Sequence, residues 1–168
     1  MYKVGTTVIY GSEGACKISE ITDNFFENSD NKRLYYVLIP VKGDGRIFVP
    51  CDNEILVARM KKVLSPQEIR ELISIDIPEI EWIADNRQRN RAYKEMLRSY
   101  DRLKILALAK LLYRIKCNTT DKRRLYVSDE EILKKAIKLL HEEFSLVLKI
   151  ELDEVMPYIF GNITCEIK

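Results

Sequence analysis

The hydrophobic pattern changes period once along this chain, near Met60. Before that point apolar residues alternate with polar ones or form short runs, each cut off by Gly or Pro. Thr6-Thr7-Val8-Ile9-Tyr10 is β-branched and ends at Gly11. Ala15 to Ile21 alternates small or apolar with polar residues, Leu34 to Ile39 is apolar and stops at Pro40, and Arg46 to Val49 stops at Pro50. These are strand signals, with Gly11-Ser12-Glu13-Gly14 and Gly43-Asp44-Gly45 as turns. Four or five short strands in so short a stretch predict a small, strongly bent sheet or barrel of the SH3 or Tudor type. Asp23 to Arg33 reads as a long hairpin loop, polar except for Phe25 and Phe26, which serve either as a lid on the barrel or as a partner contact.

Beyond Met60 the period is helical. Ser65-Pro66-Gln67-Glu68 combines an N-cap serine, a first-turn proline and a glutamate three residues after the cap. The helix it opens carries Ile69, Leu72 and Ile73 on one side. Pro78 fits a first helical position, and the run from there to Ser99 has no Gly and no further Pro, which predicts a second helix. Asp101 can cap a third, apolar over most of its circumference through Leu103, Ile105, Leu106, Leu108, Leu112 and Ile115; this should be the central, most buried helix. Ser128-Asp129-Glu130-Glu131 reads as another capping box, ahead of Ile132, Leu133, Ala136, Leu140 and Phe144 at i, i+3/i+4 spacing. Pro157 and Gly161 end the pattern, and the tail is expected to be loosely held. The expected fold is α+β in two domains: a small Tudor/SH3-like β-barrel over residues 1–60 and an all-α helical bundle over residues 65–168.

Charge changes that picture in one region. From Trp82 to Arg124 there are 13 basic residues against 4 acidic ones, a net of +9 in a chain whose total is +2. Such a concentration is the footprint of a phosphate-binding surface, although a charge run is more often a solvated helix face. At about 100° per residue, Arg87, Arg91, Lys94 and Arg98 fall on one stripe of the second helix, and Trp82, Asn86, Arg89, Tyr93, Met96 and Tyr100 on another. The second stripe can be core, with Trp82 inside it. Alternatively Trp82, in a sparsely covered first turn and on a stripe interrupted by Asn86 and Arg89, projects outward. The helix wheel leaves both open. Residues 1–60 carry 7 basic and 8 acidic residues, a balance that suits a protein-docking module rather than a nucleic-acid surface.

Chemistry-bearing motifs are few. The cysteines Cys16, Cys51, Cys117 and Cys165 form no C-x-x-C pair, and the one histidine, His141, sits beside Glu142 and Glu143, so free, mostly buried thiols are expected and a Cys/His metal site is not. There is no phosphate-binding glycine loop, nucleophile elbow or H-E-x-x-H sequence. No enzyme activity, cofactor or small-molecule substrate is expected. No apolar run approaches the roughly 20 residues of a membrane span, and the N-terminus lacks a signal-peptide core, so the expected location is cytoplasmic, without a membrane partner.

The order and spacing of several short motifs resemble the CarD/CdnL family of bacterial transcription regulators. In the first part these are Val4-Gly5, Val8-Ile9-Tyr10-Gly11, Gly14-x-Cys16-x-Ile18, Leu34-Tyr35-Tyr36-Val37-Leu38-x-Pro40, Val49-Pro50-x-Asp52-Asn53 and Arg59. In the second they are Ser65-x-Gln67-Glu68-Ile69, Trp82, Tyr93-Lys94-Glu95, Leu97, Asp101 and Ser128 to Glu131. The resemblance spans roughly residues 2–148 and implies a Tudor-like domain docking on the RNA polymerase β subunit, where the transcription-repair coupling factor also docks. It further implies a helical domain on promoter double-stranded DNA at the upstream edge of the bubble, with a tryptophan wedged into the minor groove, and so favours an exposed Trp82.

The register departs from the family's better-known branch. Trp82 stands about one helical turn further from Leu97 and Asp101, and basic positions expected just after the tryptophan fall on Ala84 and Asp85. Arg87 and Arg89 are the next candidates. A basic position that meets polymerase falls on Phe48, with Arg46 two residues earlier. The sequence thus nominates Trp82, Arg87, Arg89, Arg91 and Lys94 for DNA, and Arg46 and Phe48 for polymerase. The rival readings are an adaptor on the transcription machinery without DNA contact, in which Trp82 is core, and an RNA-binding protein.

Overall fold

The computed structural model describes residues 1–23, 33–75, 79–118 and 120–161. The proposed aromatic lid of Phe25 and Phe26, the helix start at Pro78, Cys165 and the tail after Gly161 lie outside them. The chain divides into two compact units, Met1–Val63 and Leu64–Lys168.

In the first unit the strands β1 (Thr7–Tyr10), β2 (Ala15–Thr22), β3 (Tyr35–Pro40), β4 (Ile47–Pro50) and β5 (Met60–Lys62) form one antiparallel sheet in the order β4-β3-β2-β1-β5. Gly11 and Gly14, at φ 51° and 69°, supply the left-handed backbone of the β1–β2 turn. Ser19 is a bulge: the β2–β3 register steps from Ile18↔Leu38 to Glu20↔Val37, and the Ser19 hydroxyl donates to the Val37 carbonyl at 3.0 Å. That bulge bends the sheet over a core of Val8, Cys16, Ile18, Tyr36, Leu38, Val49 and Met60. The expectation of a closed barrel is corrected: among the described residues the sheet is open, with β4 and β5 as its edges. Each edge strand pairs on one side only, β4 with β3 and β5 with β1. Between them a short helix α1 (Glu54–Val57), unforeseen from sequence, is capped by Asn53, whose side chain accepts the Leu56 N–H at 3.1 Å.

The second unit is helical: α2 (Pro66–Ser74), α3 (Asn86–Arg98), α4 (Arg102–Cys117), α5 (Val127–Leu148) and α6 (Val155–Phe160). Ser65 and Glu68 form the predicted reciprocal cap of α2, and Asp101 accepts the Leu103 and Lys104 N–H groups at the start of α4. Tyr100, left-handed at φ 50°, makes the tight turn between α3 and α4. α4 is the buried centre, with Ile105, Leu106, Leu108 and Leu112 in one core with Ile132, Ala136, Leu140 and Phe144 of α5, and with Ile115 also buried. Arg102 forks onto Glu143 at 2.7 Å, which also accepts the Leu64 N–H at 3.0 Å, tying α2, α4 and α5 together. Among the described residues no helix is long and apolar enough to cross a membrane.

Two helix starts and one thiol differ from expectation. Residues 79–85 are not helical; α3 begins only at Asn86, where the Asp85 carboxylate accepts the Gln88 N–H at 2.8 Å. Helix α5 begins at Val127 rather than after Ser128: Asp129, its third residue, reaches back to the Tyr126 N–H at 2.9 Å. The free-thiol expectation holds at Cys16 and Cys51, the latter's pKa raised by burial, and fails at Cys117, which is disulfide-bonded. Spacing alone carries no information on such pairing.

Candidate functional site

The stretch Glu79-Ile80-Glu81-Trp82-Ile83 alternates charged and apolar residues, a period of two that competes with the helical reading. It runs as irregular chain up to the Asp85 cap, with Ile80, Trp82 and Ile83 packed, partly buried, against the helical core. Trp82 therefore belongs to no helix stripe. It is neither a core tryptophan nor a free one.

What fixes this segment is Arg89. Its side chain is fully buried, as is that of Asp129. All five of its N–H donors find acceptors. Nε donates to Asp129 Oδ1 at 3.0 Å and Nη2 to Asp129 Oδ2 at 2.8 Å. Nη2 also donates to Asn86 Oδ1 at 3.0 Å, and Nη1 donates to the Ile83 and Ala84 carbonyls at 2.8 and 3.2 Å. The guanidinium lies 4.1 Å from the Trp82 ring centroid and 5.5 Å from that of Tyr126. Hydrogen bonds donated to Asp129 push the Arg89 pKa further up, ahead of the opposing cost of burial. A guanidinium with every donor used and both charges buried has nothing left for a phosphate. Arg89 is thus corrected from a nucleic-acid contact to a positioning residue: it ties the carbonyls just after Trp82 to the first turn of α5 and covers one face of the indole. Tyr93, also fully buried, adds a bond from its hydroxyl to the Glu81 carbonyl at 3.3 Å, and burial pushes its phenol pKa up.

Arg87, Arg91, Lys94 and Arg98 are exposed along the other side of α3, as the stripe required. Arg98 pairs with Glu95 at 2.6 Å, a solvated i,i+3 contact of little strength. The structure therefore separates the five nominated residues into a partly buried ring (Trp82), an exposed basic stripe (Arg87, Arg91, Lys94) and a buried clamp (Arg89). The signal for the clamp was available: Arg89 is the basic residue that falls on the apolar stripe with Tyr93, and a charge there needs a buried partner. Nothing in the sequence named Asp129 as that partner.

In the first unit, Phe48 pairs with Val37 across β3–β4 and is partly buried, on the opposite face of β4 from Ile47 and Val49. Arg46 is exposed and precedes β4, so it is not a strand residue. Both lie at the β4 edge of the sheet.

Among the described residues of the helical unit, two cavities stand out. One, of about 490 Å³, is mainly apolar, between Tyr113, Leu133, Ile137, Leu152 and Met156. The other, of about 180 Å³, is basic and lies under the Glu79–Ile80 segment.

Comparison with known proteins places the first unit. Residues 2–64 match the family of CarD-like/TRCF RID domains, RNA polymerase-interacting domains. No curated protein matches the chain.

Proposed function

We propose, on the premise that residues 2–64 are a CarD-like RNA polymerase-interacting domain, that this chain is a transcription regulator working on promoter complexes. In this reading the first unit docks on the polymerase β subunit and the helical unit holds double-stranded promoter DNA at the upstream edge of the bubble. The family match of residues 2–64 is the observation that carries the polymerase part.

Docking uses the β4 edge. An edge strand offers unpaired N–H and C=O groups to which an extended partner segment can add, with side chains such as Arg46 and Phe48 setting specificity. Nearly balanced charge in residues 1–60 agrees with a protein partner.

Two features support the DNA contact. Arg87, Arg91 and Lys94 present an exposed cationic row suited to phosphates. Trp82 is held on a short segment by the Arg89 clamp rather than sunk in a helix stripe, and an apolar ring set at a base step is a known device for holding distorted DNA. The mechanism is then mass action: a protein that binds the opened promoter and not the closed one lengthens the life of the open state.

The test is copurification of RNA polymerase with the full chain and with residues 1–64, the latter checked for folding by circular dichroism. Binding by both, lost on replacing Arg46 and Phe48, is expected. A folded residue 1–64 fragment that captures no polymerase overturns the docking assignment.

A further inference from the structure

We propose that Tyr126 is a second DNA-contacting ring beside Trp82, and that it stacks on an unpaired base at the edge of opened DNA; this rests on the DNA contact proposed above. Both rings share one support. Arg89 Cζ lies 4.1 Å from the Trp82 ring centroid and 5.5 Å from that of Tyr126, so the rings are no further apart than those two distances together. The guanidinium is fully buried with all its donors used, so it holds the rings without itself reaching a ligand.

Tyr126 is nonetheless 58% exposed, and Val127 beside it 77%. The exposed ring sits on a fixed backbone. The Tyr126 N–H donates to Asp129 Oδ2 at 2.9 Å, and its carbonyl accepts the Asp129 and Glu130 N–H groups at 2.9 and 3.1 Å. One buried carboxylate thus fixes both the Arg89 guanidinium and the chain at Tyr126. A ring whose backbone is already ordered loses less freedom on binding. The residues before it alternate. Arg123 pairs with Asp121 and Leu125 packs on the helical core, while Lys122, Arg124 and Tyr126 are exposed. Two cations and one ring therefore stand at every second residue on the outer side of this segment. Cations interleaved with an aromatic suit a nucleic-acid strand, whose backbone they track while the ring stacks on a base.

Base pairing decides which DNA this surface takes. In a closed duplex every base is stacked on its neighbours, and a ring on the outside meets only edges, sugars and phosphates. An unpaired base offers a free face, and stacking it on an aromatic side chain strengthens binding about fivefold or more. Tyr126 thereby supplies the preference for the opened promoter that lengthening its life requires.

The experiment measures, by fluorescence anisotropy, binding of the full chain to a fully paired DNA duplex and to the same duplex with a short mismatched bubble. The unaltered chain should prefer the bubble about fivefold or more. Tyr126→Leu keeps an apolar side chain near Arg89 but removes the ring, and should bring the preference close to one, whereas Tyr126→Phe retains it. Loss of folded protein lowers both apparent affinities alike and leaves that ratio unchanged. Replacing Lys122 and Arg124 with Gln should lower the slope of log K against log salt on the bubble by about 1.4, two single-strand phosphates. A Tyr126→Leu chain that keeps the full preference would reduce the ring to a cover for the buried pair and overturn the proposal. So would an unaltered chain that binds both DNAs equally. If Trp82→Ala weakens binding while Tyr126→Leu changes nothing, the second ring fails and the DNA contact stands. If the unaltered chain binds neither DNA, both fail.

Discussion

Arg89 settles more of this molecule than any other residue. Its charge is buried with that of Asp129, and breaking such a pair by removing one partner typically costs about 3–5 kcal/mol, because the other charge is left uncompensated. Arg89→Met should therefore destabilise the helical unit by that order, read by denaturant unfolding. Arg89→Lys is the finer test. It keeps the charge but offers three donors where five are used, and it loses the flat stack on Trp82. Because Trp82 is the sole tryptophan, its fluorescence reports the clamp directly: a shift to longer wavelength in folded Arg89→Lys is expected, and an unchanged spectrum would mean that the pair serves the fold alone. Trp82→Ala should cost about 1–2 kcal/mol, less than the 3–5 of a fully buried aromatic, since the ring is only partly buried. Asp121 gives a pH prediction. Its hydrogen bonds from Arg123 lower its pKa to about 2. A depressed carboxylate adds stability above its unfolded value of roughly 3.9, and that contribution disappears as pH falls toward 2. Asp121→Asn should thus lose part of the acid sensitivity between those limits in acid titrations of stability.

At the scale of elements, what the sequence made legible was what local chemistry decides. Ser65 and Asp101 stand where their side chains cap α2 and α4, and each gives a distinct signature before an apolar period. Asp101→Ala should cost about 1 kcal/mol by thermal unfolding, the usual worth of a cap. Four of the five strands of the first unit were legible from Gly and Pro punctuation, to within one residue at each end, whereas β5 was not. What was not legible depended on distant partners. Sheet closure depends on whether β4 and β5, at opposite ends of the strand order, pair with each other, which neither segment's own sequence specifies. The helix assigned to residues 79–85 failed because local helix compatibility lost to packing of Ile80, Trp82 and Ile83 on the core and to Arg89 binding the Ile83 and Ala84 carbonyls. The start of α5 moved because Asp129 serves Arg89 and Tyr126 at once. The exposed row on α3, which periodicity did identify, carries its own prediction. Replacing Arg87, Arg91 and Lys94 with Gln should reduce the salt slope of DNA binding by about 2–3, if each holds one phosphate. An unchanged slope would make the row a solvated face.

Across the whole molecule, the family match and the positive charge fall on different parts of the chain. Residues 2–64, which match the CarD-like/TRCF RID domain family, carry nearly balanced charge, and the excess of positive charge lies between Trp82 and Arg124. The proposed account joins the two: polymerase brings the helical unit to promoter DNA at high effective concentration, so weak, sequence-independent contacts suffice. That account makes Trp82 matter for the opened promoter but not for docking. The most direct measurement is the lifetime of open promoter complexes, formed by RNA polymerase with the unaltered chain or with Trp82→Ala and challenged with a competitor. The account predicts a longer lifetime with the unaltered chain and loss of that extension with Trp82→Ala, while both remain bound to polymerase. A lifetime unaffected by the unaltered chain at saturating polymerase binding, or extended equally by Trp82→Ala, would contradict it.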